Sequence, residues 1–212
     1  STGAVSFLVI GFATGICTGM SIPVSQAFGA GDYKTMRKYL ANALYLSALI
    51  SVIMTIGTIL FTGDLLRLMK TPEELYDYAY DYIFTVFAGI SATILYNLLS
   101  SMLRSIGDSR TPLIFLAIAA ALNIGLDFLF ILVLHTGVSG AGYASVISQG
   151  VSGILCLIYM FRKYEIFRIQ KDERQVSLQH CGRLLSIGLP MALQFSITAV
   201  GSIILQTAVN TL

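Results

Sequence analysis

Apolar side chains along this 212-residue chain form six long uncharged runs that alternate with short charged segments. A transmembrane α-helix needs roughly 20 consecutive apolar residues. Continuous apolar runs favour helices over the strands of a membrane barrel, in which lipid-facing and lumen-facing residues alternate. We therefore predict an all-α, polytopic transmembrane bundle of six spans, at about 4–27, 40–62, 79–103, 113–134, 139–161 and 184–212.

The composition supports a membrane protein and excludes several other classes. Hydrophobic residues make up 56% of the chain and charged residues 11%, whereas soluble domains average about 45–50% and about 25%. A net charge of +2 provides no basic field for nucleic acid. Cys17 and Cys156 lie inside predicted spans and Cys181 lies in a basic loop, so no disulfide is expected.

Basic residues are distributed unevenly between the two sides of the predicted bundle. Three lie in loop 28–39, two in loop 104–112 and six in loop 162–183, so these loops hold eleven of the 13. The positive-inside rule makes this side cytoplasmic and the chain a multi-pass protein of the plasma membrane, the inner membrane in a bacterium. Its first span then enters from outside.

Both ends of the chain lead us to expect a fragment. It begins at Ser1 without an initiator Met and stops at Leu212 within an apolar run. An odd number of helices, most simply one, is expected before Ser1. The remainder of the polypeptide is then a partner of this segment, together with the lipid bilayer.

Asp127 is the charged residue that lies well inside a predicted span. An ionised carboxylate at the centre of a membrane helix costs at least about 2.5–3.5 kcal/mol on insertion scales. A bound cation, a proton or a water-filled cavity would offset that cost, and each implies a function. The structural alternative is a carboxylate that reaches outer water or a neighbouring helix.

Further oxygen ligands are expected close to Asp127. Asn123 lies one helical turn deeper on the same face. Counting back from the turn near residues 135–137 places Ser145 opposite Asp127, and Ser148 and Gln149 opposite Asn123. Carboxylate, amide and hydroxyl oxygens suit a hard cation such as Na⁺, and the carboxylate alone could carry a proton.

Small residues and prolines predict how the helices pack and bend. Gly11, Gly15 and Gly19 recur every four residues, a spacing that lets two membrane helices approach closely. Pro23 and Pro190 are predicted to kink the first and sixth spans and to serve as hinges.

Two cytoplasmic loops share the dipeptide Gly-Asp directly before a helix, at Asp32 and at Asp108. Each carboxylate can meet the positive end of the following helix dipole. His135 and His180 are isolated and lie on opposite sides of the membrane, so the sequence does not favour a zinc or histidine-based catalytic site.

Several segments together resemble the multidrug and toxic compound extrusion (MATE) family, and the likeness extends over the whole chain. They are SQAFGAGD at 25–32, RSIGDSRTP at 104–112, LNIGLD at 122–127, GVSGAGYAS at 137–145 and GLP at 188–190. Members of this family resemble one another in having twelve helices, arranged as two six-helix bundles that rock about a central cavity. The resemblance implies that this chain runs from the family's second helix into its seventh.

By the same resemblance, residues 1–170 form an N-terminal bundle that lacks its first helix. Residues 171–183 form a cytoplasmic linker between bundles, and 184–212 begin the C-terminal bundle. The family exports amphipathic, often cationic compounds in exchange for Na⁺ or H⁺. The implied protein is a monomeric antiporter, not an enzyme, and needs no cofactor beyond its coupling ion.

The resemblance also assigns residues to the two sites. The family's cation site falls on Asp127, Asn123 and Ser145, where Ser145 replaces a threonine of the family. A second carboxylate of that site lies on the family's first helix, outside this chain. Tyr82 and Asn97 match residues that line the substrate cavity, and Gln149 is placed there as well.

Three alternatives remain. A lipid-linked oligosaccharide flippase of the same superfamily would be expected to carry several Arg or Lys residues inside its spans, and this sequence has none there. An intramembrane enzyme would require a catalytic pair, whereas Asp127 is the one acidic or basic residue well inside the predicted spans. The composition alone also allows a passive channel, and a counterflow assay in proteoliposomes would distinguish it from a carrier.

Overall fold

The computed structural model describes residues 2–68, 73–136 and 138–210. Seven α-helices account for most of this part of the chain, and they form an all-α bundle as predicted. They are α1 Thr2–Gly29, α2 Tyr33–Leu68, α3 Glu73–Ala88, α4 Ile90–Ser105, α5 Arg110–Asp127, α6 Val138–Lys163 and α7 Leu178–Asn210. A π-helical segment, Phe128–Val133, extends α5, and 3₁₀ turns lie at Glu165–Phe167 and Lys171–Glu173.

The third predicted span, 79–103, is wrong as a single helix. It consists of α3 and α4, which meet at Gly89. The Gly89 N–H still donates to the Thr85 and Val86 carbonyls, at 3.1 Å each, so the chain bends without leaving a helical path. A methyl group at Gly89 would overlap the Val146 side chain. The remaining predicted spans correspond to the five described helices that are long and apolar enough to cross a membrane.

Gly31 and Gly107 terminate α1 and α4 in the left-handed region, with φ of +73° and +90°. The aspartate that follows each glycine lies just before the next helix, Asp32 one residue before α2 and Asp108 two residues before α5. Asp32 accepts a hydrogen bond from the Thr35 N–H and Asp108 accepts one from the Thr111 N–H, both at 3.0 Å. The predicted role of these two carboxylates at helix starts is confirmed.

α1 lies at the centre of the bundle and packs against α7, α4 and α2. Its glycines allow the closest approach, as predicted. A methyl group on Gly15 would stand 2.7 Å from the Ala192 Cα, and one on Gly19 would stand 2.6 Å from the Gly188 Cα. A methyl group on Gly11 would stand 3.7 Å from the Phe195 carbonyl oxygen, which is ordinary van der Waals contact.

The segment between α6 and α7 is not a free loop, because it is fixed along the N-terminal part of α2. We call residues 164–177 the linker. Arg37 donates two hydrogen bonds of 2.7 Å to Glu173, whose side chain is almost fully buried. The Ser177 N–H donates to Asn42 at 2.9 Å. α7 begins at Leu178, six residues before its predicted start at 184, which shortens the predicted 171–183 linker.

Candidate functional site

The predicted cation site lies where α5 faces α6. The Asn123 amide donates to the Ser145 hydroxyl oxygen over 3.4 Å, so two of the three predicted ligands are in contact. Asp127 follows Asn123 by one turn on α5 and is the last residue of that helix. The helix geometry therefore gathers a carboxylate, an amide and a hydroxyl along one face of the α5–α6 pair.

The Asp127 carboxylate differs from its neighbours in its hydrogen bonding. Its Oδ1 atom is buried and has no hydrogen-bond partner among the described residues. A shallow cleft of about 200 Å³ borders it, lined otherwise by Phe128, Ile131 and Leu132. A carboxylate oxygen in such apolar surroundings is costly unless something compensates it, so this atom is a candidate for binding a cation or a proton.

A π-helical segment begins directly after Asp127. The Leu134 N–H reaches back five residues to the Leu129 carbonyl at 3.0 Å, and Thr136 donates its hydroxyl to the Phe130 carbonyl at 2.7 Å. π segments are rare and often occur at functional sites. Apolar periodicity contains no signal for a π segment, so the sequence predicts a regular α-helix over residues 113–134.

The π segment contributes to the difference between the predicted and the observed partner of Asn123. Asn123 was expected opposite Ser148 and Gln149, but it contacts Ser145. A π turn takes one residue more than an α turn, so residues before it lie nearer to the loop than an α-helical count predicts. Ser148 instead donates to the Ser145 carbonyl of its own helix at 3.0 Å.

Gln149 belongs to a second polar contact, one turn farther along α6. Its side-chain carbonyl accepts a 2.7 Å hydrogen bond from Thr93 of α4. Asn97, predicted to line the substrate cavity, donates to the Thr93 backbone carbonyl at 2.8 Å. Thr93 connects both predicted cavity residues and was missed, although its position one turn before Asn97 in an apolar run was a usable signal. Tyr82 is in α3, but its side chain lies outside the described part of the structure.

The two contacts give α6 a bridging role. Ser145 and Gln149 are one turn apart, yet the first meets α5 and the second meets α4. Ser152 continues the polar positions with a 2.8 Å hydrogen bond to the Phe115 carbonyl of α5. A change in ligands at Asn123 and Ser145 would therefore act on a helix that also carries Gln149, which is hydrogen-bonded to Thr93 of α4.

The predicted hinge prolines both lie inside helices, Pro23 in α1 and Pro190 in α7. Each removes a backbone donor from the interior of a long helix. They lie near the closest approach of those two helices, where Gly19 meets Gly188. Their role as hinges stays a prediction.

The donor set of the site consists of oxygen ligands. Within the described residues, no group of three or more His, Cys, Asp or Glu side chains is placed to hold a metal ion. Asp127, Asn123 and Ser145 supply oxygen atoms of the kind that hard cations prefer. This chemistry is compatible with Na⁺ or a proton.

Comparisons with known proteins agree with this architecture. The family model MatE matches residues 2–129. The probable multidrug resistance protein YpnP of Bacillus subtilis is 33% identical over 203 residues, covering 95% of this chain and 45% of that protein. Another relative from the same organism, the probable multidrug resistance protein YoeA, is 28% identical, with coverage of 96% and 46%.

Solved structures provide a second comparison. An inward-facing multidrug resistance MATE family transporter of the MOP superfamily matches with a TM-score of 0.85 and 27% identity, covering 93% of this chain and 45% of that one. An outward-facing structure of such a transporter gives the same TM-score and identity, with coverage of 92% and 43%. The chain thus spans a little under half the length of the relatives and structures that it matches.

Proposed function

The chain belongs to the MatE family of membrane transporters, and we propose that the intact protein is a secondary active antiporter. It exports amphipathic, often cationic compounds in exchange for Na⁺ or H⁺. In this proposal, residues 1–170 belong to its N-terminal bundle, 171–183 to the connection between bundles and 184–212 to the start of its C-terminal bundle. The intact transporter functions as a monomer in the plasma membrane.

One observation carries the proposal: the buried Asp127 Oδ1 without a hydrogen-bond partner in the described chain, one turn from the Asn123–Ser145 contact. A structural carboxylate would be expected to accept hydrogen bonds from its neighbours. An unsatisfied carboxylate beside two further oxygen ligands fits a group that binds and releases a cation. Intramembrane ionisable residues commonly mark ion and proton pathways.

Coupling requires that the cation bind one conformation more tightly than the other, because equal affinity for both would shift neither. We propose that a cation entering from outside neutralises Asp127 and stabilises the conformation with low affinity for the drug. The drug then leaves outward, and release of the cation inward restores the high-affinity conformation. Gln149 and Asn97, held by Thr93, contribute polar contacts to the substrate cavity in this scheme.

The conformational change is proposed to take place mainly between bundles. The same TM-score against inward-facing and outward-facing transporters supports an N-terminal bundle, residues 1–170, that keeps its internal arrangement in both conformations. Pro23 and Pro190, in the two helices that pack most closely, are the proposed bending points. The loops 28–39, 104–112 and 162–183 are proposed to face the cytoplasm, as the lysine and arginine distribution indicates.

The decisive variant is Asp127→Asn in the intact protein. It preserves side-chain size but removes the charge, so cation-driven efflux should fall to background while drug binding and folding persist. Efflux of a fluorescent cationic dye from proteoliposomes measures this, with an imposed Na⁺ gradient and an imposed pH gradient tested separately. The gradient that drives efflux in the unmodified protein identifies the coupling ion.

Asp81→Asn is the matched control, because it makes the same substitution at an exposed position on α3. It should leave efflux unchanged under both gradients. Full cation-driven efflux by Asp127→Asn would contradict the proposal. Dye movement that neither gradient drives, together with an absence of counterflow, would favour a passive channel instead.

A further inference from the structure

The linker and α2 enclose a cleft that the transport site does not use. It has a volume of about 440 Å³ and is lined by Tyr45, Phe161, Arg168, Ile169 and Arg174. Two guanidinium groups thus share a cleft with two aromatic rings and an aliphatic side chain. Such a combination suits a ligand that carries an anionic group on an apolar body.

The positive charge of this cleft remains largely uncompensated. The carboxylates that precede Arg174 are already engaged: Glu173 binds Arg37 at 2.7 Å and Asp172 lies 3.5 Å from Lys34. Arg168 meets Glu165 at 3.1 Å, but both side chains are more than half exposed, so that pair is weak. Arg174 makes no ion pair within the described part of the chain.

Tyr45 attaches the linker wall of the cleft to α2. Its hydroxyl donates to the Arg174 backbone carbonyl over 3.2 Å, which attaches this end of the linker to α2. The tyrosine proton is thereby used, and the donors available to an incoming ligand are the two guanidinium groups. Guanidinium groups form charge-assisted hydrogen bonds to phosphate in a planar, often bidentate arrangement.

An apolar surface continues from the cleft along α2. Leu49, Ile53, Ile56 and Leu60 are each more than half exposed and follow Tyr45 at intervals of three or four residues. They therefore occupy one face of the helix, directly beyond the cleft. A hydrocarbon chain could lie along this face while a charged group stays at the two arginines.

The length of α2 places the cleft at the membrane surface. Its 36 residues extend about 54 Å, well beyond the roughly 30 Å of the hydrocarbon core. The part from Tyr45 to Gly63 extends about 27 Å and matches that core. The linker covers the part before Tyr45, so Arg168 and Arg174 lie at headgroup depth on the side with most basic residues.

We propose that this cleft binds an anionic phospholipid of the cytoplasmic leaflet. Arg168 and Arg174 hold its phosphate, and its acyl chains lie against the α2 face that Leu49 begins. A soluble phosphate would use the arginines without the apolar face. A zwitterionic lipid would bring a second, positive group to a cleft that is already positive.

The test measures lipid binding to the delipidated, full-length protein by native mass spectrometry. Phosphatidylglycerol is titrated against phosphatidylcholine with identical acyl chains, and inorganic phosphate is added as a competitor. We expect a saturable phosphatidylglycerol site that phosphatidylcholine does not fill and that equimolar phosphate does not displace. Equal binding of the two lipids, or displacement by phosphate, would overturn the proposal, and the second outcome would indicate a soluble anion.

Double variants test whether Arg168 and Arg174 form the lipid site. Arg168→Gln combined with Arg174→Gln should weaken phosphatidylglycerol binding about 25-fold, since each basic residue near an anionic surface contributes about fivefold. Replacing both by lysine keeps the charge but loses the planar fork, so a smaller loss is expected. Thermal unfolding of each variant checks folding.

Arg110→Gln combined with Arg183→Gln is the matched control. It removes the same charge from exposed positions on the same side, outside the cleft. Binding should stay within about twofold of the unmodified protein. An equal loss of phosphatidylglycerol binding in both double variants would overturn the assignment. So would unchanged binding when Arg168 and Arg174 are replaced by glutamine.

Discussion

Ser145 is the residue at which the site departs from its family resemblance, because it retains a hydroxyl without the methyl group of threonine. The Asn123 amide donates to that hydroxyl oxygen at 3.4 Å. Ser145→Thr should therefore preserve cation dependence of transport. Ser145→Ala removes the oxygen ligand, and we expect the cation concentration for half-maximal efflux to rise about 5–10-fold, the effect of losing one hydrogen bond.

The measurement is dye efflux from proteoliposomes as a function of coupling-cation concentration for the unmodified protein, Ser145→Thr and Ser145→Ala. Ser148→Ala is the matched control, since the Ser148 hydroxyl donates only to the carbonyl of Ser145 within its own helix. Normal cation dependence in Ser145→Ala would remove this hydroxyl from the site. If the cation dependence of efflux weakened in Ser145→Thr but not in Ser145→Ala, the site would be limited by side-chain size and the hydroxyl would not be a ligand.

At the element scale, the contact between α1 and α7 depends on glycines that leave no room for a side chain. Gly19→Ala would place a methyl group 2.6 Å from the Gly188 Cα, and backbone cannot move aside as a flexible side chain can. We expect a loss of about 1–3 kcal/mol in unfolding free energy, as is typical of overpacking. Reversible unfolding of the intact protein in detergent and denaturant measures the change.

Gly57→Ala is a control that should change the unfolding free energy in the opposite direction. Gly57 lies inside α2, and a methyl group there would meet nothing within 4 Å. Because alanine favours a helix more than glycine does, this variant should gain up to about 1 kcal/mol. Stabilisation of both Gly57→Ala and Gly19→Ala would show that helix propensity, and not close packing, sets the effect of these glycines.

The elements also show what the sequence could and could not predict. Charge-free runs located the helices because the cost of charge in a membrane acts on every residue of a span. The break at Gly89 depends on close approach by Val146 of a distant helix, which no local pattern records. The π segment depends on hydrogen bonds from Leu134 and Thr136 beyond the end of α5. Asn123, Asp127 and Ser145 were identifiable because polar groups stand out in apolar runs, whereas the Asn123–Ser145 contact required the three-dimensional register.

At the scale of the whole molecule, the linker packs against the rest of the bundle through buried side chains. Phe167 is fully buried, and Glu173 is buried within hydrogen-bond distance of Arg37. The sequence predicts a basic cytoplasmic loop and linker here, because its charges do not reveal that Arg37, 136 residues earlier, is the partner of Glu173. The linker is therefore an attached part of the bundle, and the opposite charges of Arg37 and Glu173 make its attachment sensitive to pH.

Hydrogen bonds from the Arg37 guanidinium hold the pKa of Glu173 below its ordinary value. A carboxylate with a lowered folded-state pKa contributes stability above its unfolded pKa, about 4.3 for glutamate, and that stability is lost as pH falls through the folded-state value. Linker attachment should thus be constant from neutral pH to about 4.5 and should weaken at lower pH. Amide hydrogen exchange over residues 164–177, expressed as protection factors, measures the attachment.

Arg37→Gln separates this ion pair from other effects of acid. It leaves the buried Glu173 carboxylate without its charged partner, which costs about 2 kcal/mol and should lower linker protection roughly 30-fold at pH 7. The loss of protection between pH 4.5 and lower values should shrink, because little of the pair's contribution remains to be titrated. Lys34→Gln removes an exposed pair with Asp172, at 3.5 Å, and should change protection less than about fivefold. If both variants behaved alike, general surface charge and not the Arg37–Glu173 pair would hold the linker on α2.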